Sequence, residues 1–474
     1  MFSLKSLKRG VQLGIAAAAL LVMGIAGQAG AETLQDALSM AYQNNPDLRA
    51  QRAALRATDE TVAAANLAAL PSVAGNVFYD RSNRLIIETP QLGPQKIFNR
   101  TLQVRIDQPL FNGFQRIYNR KQARALVMAG RAQLLNTEQT VLLDAVTSYM
   151  DVLSNEAIYG LNQNNVQVLN RQKEASDARF QVGEITRTDV AQSEASLAGA
   201  ISLRITSQAN LATSRATYRQ VIGQFPGTLE PAPGMPPLPS TLDEAWAMAL
   251  EQNPQIHFAM YQEEAARHAV SSSKGALVPS ANGFLTATRF TGPQTFGGGL
   301  LSIVAETKTA GVQITIPIFQ GGREYSTIRL NKQIRSQRIL ETLSADYAVR
   351  AQTESSWMQY QASVSSITSN QSAVDANAIA LEGVRQEESV GQRTILDVLN
   401  AEQALLNSRV SLVTAQRNEY VAGFTVLQAL GQLNAAALDL PVELYDPEEN
   451  YKNVRYKFWG WGTKDYQYTL IPPA

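Results

Sequence analysis

The chain lacks cysteine and has only two histidines among its 474 residues. Thiol chemistry is therefore excluded, and a zinc site built from protein ligands is not expected. An excess of charge is also missing, because Lys plus Arg and Asp plus Glu both number 41. Such a balance gives no indication of binding to nucleic acid or to an acidic substrate. We therefore expect no metal, no cofactor and no nucleic-acid partner.

Long apolar runs are confined to the beginning of the sequence. Basic residues precede an apolar stretch at residues 11–23, and Ala29 and Ala31 supply the small side chains that signal peptidase accepts. This pattern predicts that residues 1–31 are a secretory signal peptide. Beyond it there is no run of about eighteen apolar residues, so a membrane would have to be entered by strands rather than by helices.

Proline is absent from two long stretches, residues 110–225 and 318–440. Both are rich in Ala, Gln, Ser and Leu, and their apolar residues recur every three or four positions, which predicts long amphipathic helices. A helix from about residue 114 to 180 would extend on the order of 100 Å at 1.5 Å per residue. We expect helices of this length to pack on neighbours as coiled coils. Each stretch is interrupted once, at Gly183 or at Gly391.

The sequence is duplicated with an offset of 208 residues. Turn and cap residues align without a net insertion over roughly 190 residues. The aligned pairs include Pro46 with Pro254, Pro109 with Pro317, Gly183 with Gly391, Thr186 with Thr394, Asp189 with Asp397, and Gly223 with Gly431. We interpret residues 32–226 as a first repeat, 227–240 as a proline-rich joint, 241–434 as a second repeat and 435–474 as a C-terminal tail.

Each repeat also contains a predicted pair of strands. Apolar and polar residues alternate at 101–107 and at 312–316, which is typical of a sheet with one apolar face. Weaker partner strands and polar loops complete the two pairs, at residues 72–84, 85–98, 280–291 and 292–304. A strand in a soluble sheet would alternate in the same way, but these segments are as long as tilted membrane strands and belong to an exported chain. Four strands cannot close a barrel, so a spanning sheet would require several copies.

The two helix interruptions share a polar pattern, Thr-x-x-Asp at residues 186–189 and again at 394–397. It fits a capping box, in which the hydroxyl accepts a free backbone amide and the acid three residues later accepts another. Capping alone would explain why Gly, Thr and Asp recur in both repeats. It does not explain Arg393, because the equivalent residue of the first repeat is Ile185.

A family resemblance enters at these interruptions. Residues 389–405 (SVGQRTILDVLNAEQAL) resemble the second helical-tip signature of the TolC family of outer-membrane export ducts, and residues 180–189 (FQVGEITRTD) resemble the first. Residues 108–113 and 316–322 are similar to that family's strand exits, and the match covers about residues 33–434. The resemblance implies a mixed α/β membrane protein that forms a homotrimer. Each chain would give four strands to one 12-stranded outer-membrane β-barrel and its helices to a periplasmic α-helical barrel.

The resemblance also implies partners and a location. A periplasmic adaptor and an inner-membrane ABC or RND transporter would dock at the periplasmic tip, and outer-membrane lipid would surround the strands. Residues 445–458 are similar to the tail of family members that serve type I protein secretion, with multidrug efflux as the nearest alternative. From a different class, the chain could be an adaptor-like periplasmic scaffold without a pore. No nucleophile with its base is evident, so we do not expect an enzyme.

The resemblance assigns a latch to the tip. In the TolC family an arginine at the position of Arg393 ties the tip to residues at the positions of Thr188 and Asp189. Glu388 stands where the best-known pattern has a latch tyrosine. An arginine–carboxylate pair is directional yet partly hydrated, so that an adaptor could exchange it at a cost of about 1–3 kcal/mol.

The resemblance further assigns a constriction ring. Asp397 matches a ring of carboxylates that lines the family's constriction, and Asn400 stands where a second ring aspartate is expected. Three symmetry-related carboxylates near an axis would favour cations and invite block by divalent ions. The tip turns that carry these residues are marked by Gly183, Thr186, Gly391 and Thr394.

Overall fold

The computed structural model describes residues 31–84, 95–296 and 299–462. Helices and strands of the first repeat follow one another in the order helix, helix, strand, strand, long helix, helix. They are α1 (Leu34–Asn44), α2 (Pro46–Leu67), β1 (Ser72–Arg84), β2 (Gln95–Asn112), α3 (Gln115–Gln181) and α4 (Arg187–Ile222). The predicted signal peptide, apart from Ala31, lies outside the described residues.

The second repeat has the same order of elements, followed by one short helix of the tail. They are α5 (Leu242–Gln252), α6 (Pro254–Lys274), β3 (Ser280–Phe296), β4 (Gly299–Thr315), α7 (Arg323–Ser389), α8 (Ile395–Leu430) and α9 (Glu449–Val454). The two long helices, α3 and α7, have 67 residues each. The long helices predicted from the missing prolines are therefore confirmed. None of the described helices combines the length and the apolarity needed to cross a membrane.

Asparagine followed by proline begins the same helix in both repeats. The side chain of Asn45 accepts a hydrogen bond from the amide of Asp47 at 2.9 Å, and Asn253 accepts one from Gln255 at 2.8 Å. Proline at the first helical position loses no bond, because its amide would be unpaired there anyway. The duplicated Asn-Pro pair therefore fixes where α2 and α6 start.

The four strands form one antiparallel sheet in the order β1-β2-β3-β4. Its register separates two faces, because alternate residues of a strand point to opposite sides. The apolar face carries Val73, Val77, Leu102, Val104, Ile106, Leu285 and Val312, and the polar face carries Asn76, Gln103, Asp107, Thr286, Thr288, Thr307 and Thr309. The alternation that predicted the strands therefore places apolar side chains on one side of the sheet near the helices, whereas the charged residues Arg100, Arg289, Glu306 and Lys308 occupy that side farther along the strands.

Two strand boundaries predicted from the sequence are wrong. The loop predicted at 85–98 ends earlier, because β2 already begins at Gln95. The loop predicted at 292–304 is mostly strand, because pairing continues from Thr291 opposite Val304 to Phe296 opposite Gly299. Backbone hydrogen bonds hold these extensions, and such bonds require no alternation of side chains. The rest of the first loop, together with Gly297 and Gly298, lies outside the described residues.

The described residues form two compact units that do not coincide with the repeats. One contains residues 31–44, 144–236 and 363–421, and the other contains residues 45–143, 237–362 and 422–462. Each unit therefore draws on both repeats. In the second unit an apolar core surrounds Trp357 and joins helices α5, α6, α7 and α8, with the buried members Ala245, Ala249, Ile256, Val349, Val426 and Leu430. Burial of each large side chain of such a cluster stabilises the fold by about 1.5–3 kcal/mol.

Candidate functional site

The residues that the sequence assigned to a gate lie around two equivalent turns. The first tip turn (residues 182–186) joins α3 to α4, and the second tip turn (residues 390–394) joins α7 to α8. Gly183 and Gly391 have backbone φ values of +81° and +80°, a region that favours glycine because it lacks a Cβ atom. Both glycine amides donate to the last helical turn, at 3.0 Å and 2.9 Å. The backbone of the turn is thus the same in both repeats.

The capping boxes predicted after each turn are confirmed. The amide of Thr186 donates to the Asp189 carboxylate at 2.9 Å, and the amide of Asp189 donates to the Thr186 hydroxyl at 3.3 Å. The corresponding distances at Thr394 and Asp397 are 3.0 Å and 3.4 Å. Bonds from Thr186 and from Thr394 lower the pKa values of the two carboxyl groups. Both aspartates therefore remain ionised at neutral pH.

Glu388 forms an ion pair that the sequence did not predict. Its carboxylate lies 2.5 Å from the guanidinium of Arg179, which joins the end of α7 to the end of α3. Glu388 is mostly shielded, with 18% of its side chain exposed, while Arg179 is 37% exposed. The hydrogen bond to Glu388 raises the pKa of Arg179 further. Arg179 also approaches Glu184 of the first tip turn at 3.5 Å.

Arg393 has its partner at the end of the preceding helix, α7. Its guanidinium donates to Glu387 at 2.8 Å, and about half of each side chain is exposed. The contact with Thr188 and Asp189 that the resemblance implies is not made within the described part of a single chain. Asp189 is instead held by Thr186, and Arg393 lies close to Glu387 because the turn around Gly391 brings residues six apart together.

The two ion pairs of the tip correspond to a reversal of charge between equivalent positions of the repeats. Arg179 aligns with Glu387, so the duplicated position carries opposite charges. Arg179 then pairs with Glu388, and Glu387 pairs with Arg393. Comparing charges between the repeats would have singled out Arg179, whereas motif matching did not.

The helix hairpins behind the two turns are joined differently. In the first repeat the hydroxyls of Ser176 and Ser193 form a buried hydrogen bond of 3.0 Å between α3 and α4. In the second repeat an ion pair between Arg385 and Glu402 joins α7 to α8. It lies next to an apolar cluster formed by Leu381, Val398 and Leu405. The first hairpin has an ion pair as well, between Arg215 and Glu156 at 3.5 Å, but these residues lie farther along the helices from the tip turn.

The predicted constriction residues lie in the first turns of α8. Asp397 is half-buried by its capping box, and Asn400 is exposed. A single chain places one carboxylate here, so a ring would require further copies. Among the described residues, no group of three or more His, Cys, Asp or Glu is arranged to hold a metal ion.

The chain was compared with known proteins. The family model for "Outer membrane efflux protein" matches residues 37–224 and 246–432, which correspond closely to the two repeats. The outer membrane efflux protein BepC of Brucella suis is 38% identical over 95% of this chain and 97% of its own length. The outer membrane protein TolC of Escherichia coli is 25% identical over 88% of this chain and 85% of its own length.

A solved structure has a similar fold. The CmeC outer membrane channel of Campylobacter jejuni superposes with a TM-score of 0.75 at 14% identity, over 89% of both chains. The helix-rich duplicated fold with four strands per chain thus occurs in an outer-membrane channel.

Proposed function

The chain belongs to the outer membrane efflux protein family, and from this premise we propose that it is the exit duct of a tripartite export system, held closed at its tip by ion pairs. It is an outer-membrane protein with a periplasmic helical extension. The observation that carries the proposed gate is the pair between Arg179 and Glu388, which joins the two long helices at 2.5 Å.

The strength of these pairs suits a gate. Arg179 with Glu388 and Arg393 with Glu387 are partly exposed, and such pairs stabilise a structure by only about 0.2–1 kcal/mol each. A few of them in each of several copies keep the closed state populated, yet a docking partner that offers new contacts can open it. The capping boxes hold the backbone in place, so that opening exchanges side-chain contacts and does not unfold the turns.

We propose that three chains close one barrel from their four-stranded sheets. The polar face of the sheet would line the duct, and the apolar face would contact lipid. Closure satisfies the backbone groups on the free edges of β1 and β4, which lipid cannot do. Three copies of Asp397 would then approach the axis of the tip and favour cations, with Asn400 limiting the charge at a second level.

The C-terminal tail bears on the cargo, and the tip turns bear on the partners. Type I protein secretion is favoured by the tail at residues 445–458, and multidrug efflux is the second candidate, since the family is one of efflux proteins. A periplasmic adaptor would contact the tip turns, and an ABC or RND transporter would supply the energy. The duct itself would be passive and would catalyse no reaction.

Reconstitution separates a duct from a scaffold. Detergent-extracted protein is added to a planar bilayer, and single-channel current is recorded in wild type and in Asp397→Asn. Small cation-selective openings are expected, with weaker block by divalent ions in the variant. If folded protein gives no current under any condition, the alternative of a periplasmic scaffold without a pore is correct.

Deletion of the gene would distinguish the two kinds of cargo. Loss of a secreted protein from the medium with unchanged drug tolerance would support type I secretion. Increased sensitivity to drugs with intact protein secretion would support efflux.

A further inference from the structure

The two repeats form equivalent grooves, of which only the first contains a segment of the described chain. The first groove lies between α2 and α3, and the second lies between α6 and α7. Met260, Glu264, Arg267, Ile339 and Asp346 line the second groove, and the aligned residues of the first are Arg52, Arg56, Asp59, Arg131 and Glu138.

The first groove is filled by the C-terminal tail. Glu448 accepts an ion pair from Arg131 at 3.1 Å, and the side chain of Asn450 donates to the buried carboxylate of Asp59 at 2.8 Å. Tyr451 packs against an apolar cluster of Val62, Ala123 and Val127. The guanidinium of Arg52 lies 5.2 Å from the ring centre of Tyr445. This position of the fold therefore accepts a short peptide segment with aromatic anchors and acidic flanks.

The second groove is open over about 590 Å³. Its apolar floor is solvent-exposed in the single chain, by 52% at Met260, 47% at Ile339 and 47% at Leu343. Exposed apolar floors of this kind are typical of interaction sites. The groove has the same framework as its filled counterpart but different side chains.

The side chains of the second groove do not offer the contacts that hold the tail in the first. Two arginines that bind the tail, Arg52 and Arg131, are replaced by Met260 and Ile339, and Arg56 is replaced by Glu264. Glu263 and Asp346 are paired at 2.9 Å and 3.0 Å with arginines of α7.

Glu264 is held less firmly than these two acids. Its two contacts, with Arg267 at 3.4 Å and His268 at 3.5 Å, are long. Its carboxylate is therefore available to a cation from outside. At the five aligned positions the first groove has three arginines and two acids, whereas the second has one arginine, Arg267, and two acids, Glu264 and Asp346. The second groove therefore favours a basic segment over an acidic one.

We propose that the second groove binds a peptide segment of another protein that carries aromatic residues flanked by Lys or Arg. The aromatic side chains would cover Met260, Ile339 and Leu343, as Tyr451 covers the apolar cluster of the first groove. A basic residue would bind Glu264. The groove lies in the compact unit that also contains the sheet, so this site is separate from the gate.

The absence of cysteine allows a direct test. Leu343→Cys is introduced into the full chain, and its reaction with a maleimide is measured in the purified assembled protein. The probe is the tail peptide of residues 444–456 in which Asp446, Glu448 and Glu449 are replaced by lysine. Val62→Cys, buried beneath the tail, is the control for an intact fold and should not react.

The expected result is rapid labelling of Leu343→Cys and protection by the lysine-substituted peptide, with no protection by the unmodified acidic peptide. Glu264→Lys in the same background should weaken protection about tenfold, since it removes a charge pair and introduces repulsion. If Leu343→Cys does not react in the assembled protein, another copy of the chain covers the groove and the proposal is wrong. Labelling that the peptide fails to slow at about 1 mM would also overturn it.

Discussion

The two repeats have the same backbone elements but use different side chains to hold them. Helices α3 and α7 are equally long, and both tip turns have a left-handed glycine and a capping box. In contrast, Arg179 of the first repeat aligns with Glu387 of the second, and Ile185 aligns with Arg393. The duplication therefore preserves what the backbone requires, while the charged residues differ and form contacts that an exact repeat could not make.

The grooves differ in the same way. Exchange of three arginines for Met260, Glu264 and Ile339 leaves one groove suited to the acidic tail and the other open. Differences between aligned side chains are thus the most informative guide to function in this molecule.

Among equivalent substitutions in the two repeats, the largest difference in lost stability is expected at Gly223 and Gly431, the glycines that follow α4 and α8. Gly431 has a φ of +84°, and an added Cβ would lie 2.5 Å from the carbonyl oxygen of Gln252, whereas the nearest atom to a Cβ at Gly223 would be Asn44 Cβ at 3.8 Å. Gly223→Ala should cost about 1–2 kcal/mol from the left-handed backbone alone. Gly431→Ala should cost about 1–3 kcal/mol more, because backbone must move. Thermal unfolding measures both losses, and equal losses would show that the close approach of Gly431 to Gln252 does not limit the side chain there.

Tyr451 tests how strongly the tail is bound to the first groove. Tyr451→Ala should destabilise the protein by about 2–4 kcal/mol, because the ring packs on a buried cluster and beneath Arg131. Tyr456→Ala is the matched control, since Tyr456 is 63% exposed, and should change stability by less than about 0.5 kcal/mol. A loss of the same size in both variants would show that the tail is not held by this contact.

The capping boxes should contribute equally in the two repeats. Thr186→Ala and Thr394→Ala should each cost about 1 kcal/mol, because each removes one capping acceptor of the same geometry. Serine at either position should restore most of the loss. Chemical denaturation measures the difference, and a cost at only one turn would contradict the equivalence of the two backbones.

The smallest change in stability is expected for a substitution of Asp59, which aligns with Arg267 of the second groove. Burial is the main cause that raises the pKa of Asp59. The folded protein favours the protonated form of this carboxyl. The stability that results is fully present at a pH below the pKa of the unfolded chain, and it is lost as the pH rises through the higher pKa of the folded protein. Asp59→Asn should therefore be slightly more stable than wild type at pH 7, and the advantage should disappear near pH 3. Melting temperatures across this range provide the measurement, and an advantage that grows at low pH would contradict the assigned sign.

Much of the backbone could be predicted from the sequence, whereas most side-chain partners could not. The proline-free stretches and the aligned turn residues predicted α3 and α7 and their interruptions. The capping boxes were also predictable, because they join residues only three apart. The extensions of β2, β3 and β4 were missed, since backbone pairing there does not follow side-chain alternation.

Ion pairs between residues far apart in the chain were harder to predict from the sequence. Arg179 and Glu388 are 209 positions apart, and no local pattern joins them. The tail was recognised by its similarity to related tails, but its contacts with Asp59 and Arg131 depend on the packed positions of two helices.

The proposed role of the pair between Arg179 and Glu388 in holding the duct closed is tested most directly by a charge exchange in a planar bilayer. Single-channel conductance is recorded for wild type, Arg179→Glu, Glu388→Arg and the double exchange. Each single variant places like charges together and should open severalfold wider than wild type, whereas the double exchange should return to the small wild-type conductance. Wild-type conductance in both single variants would show that this pair is not part of the gate.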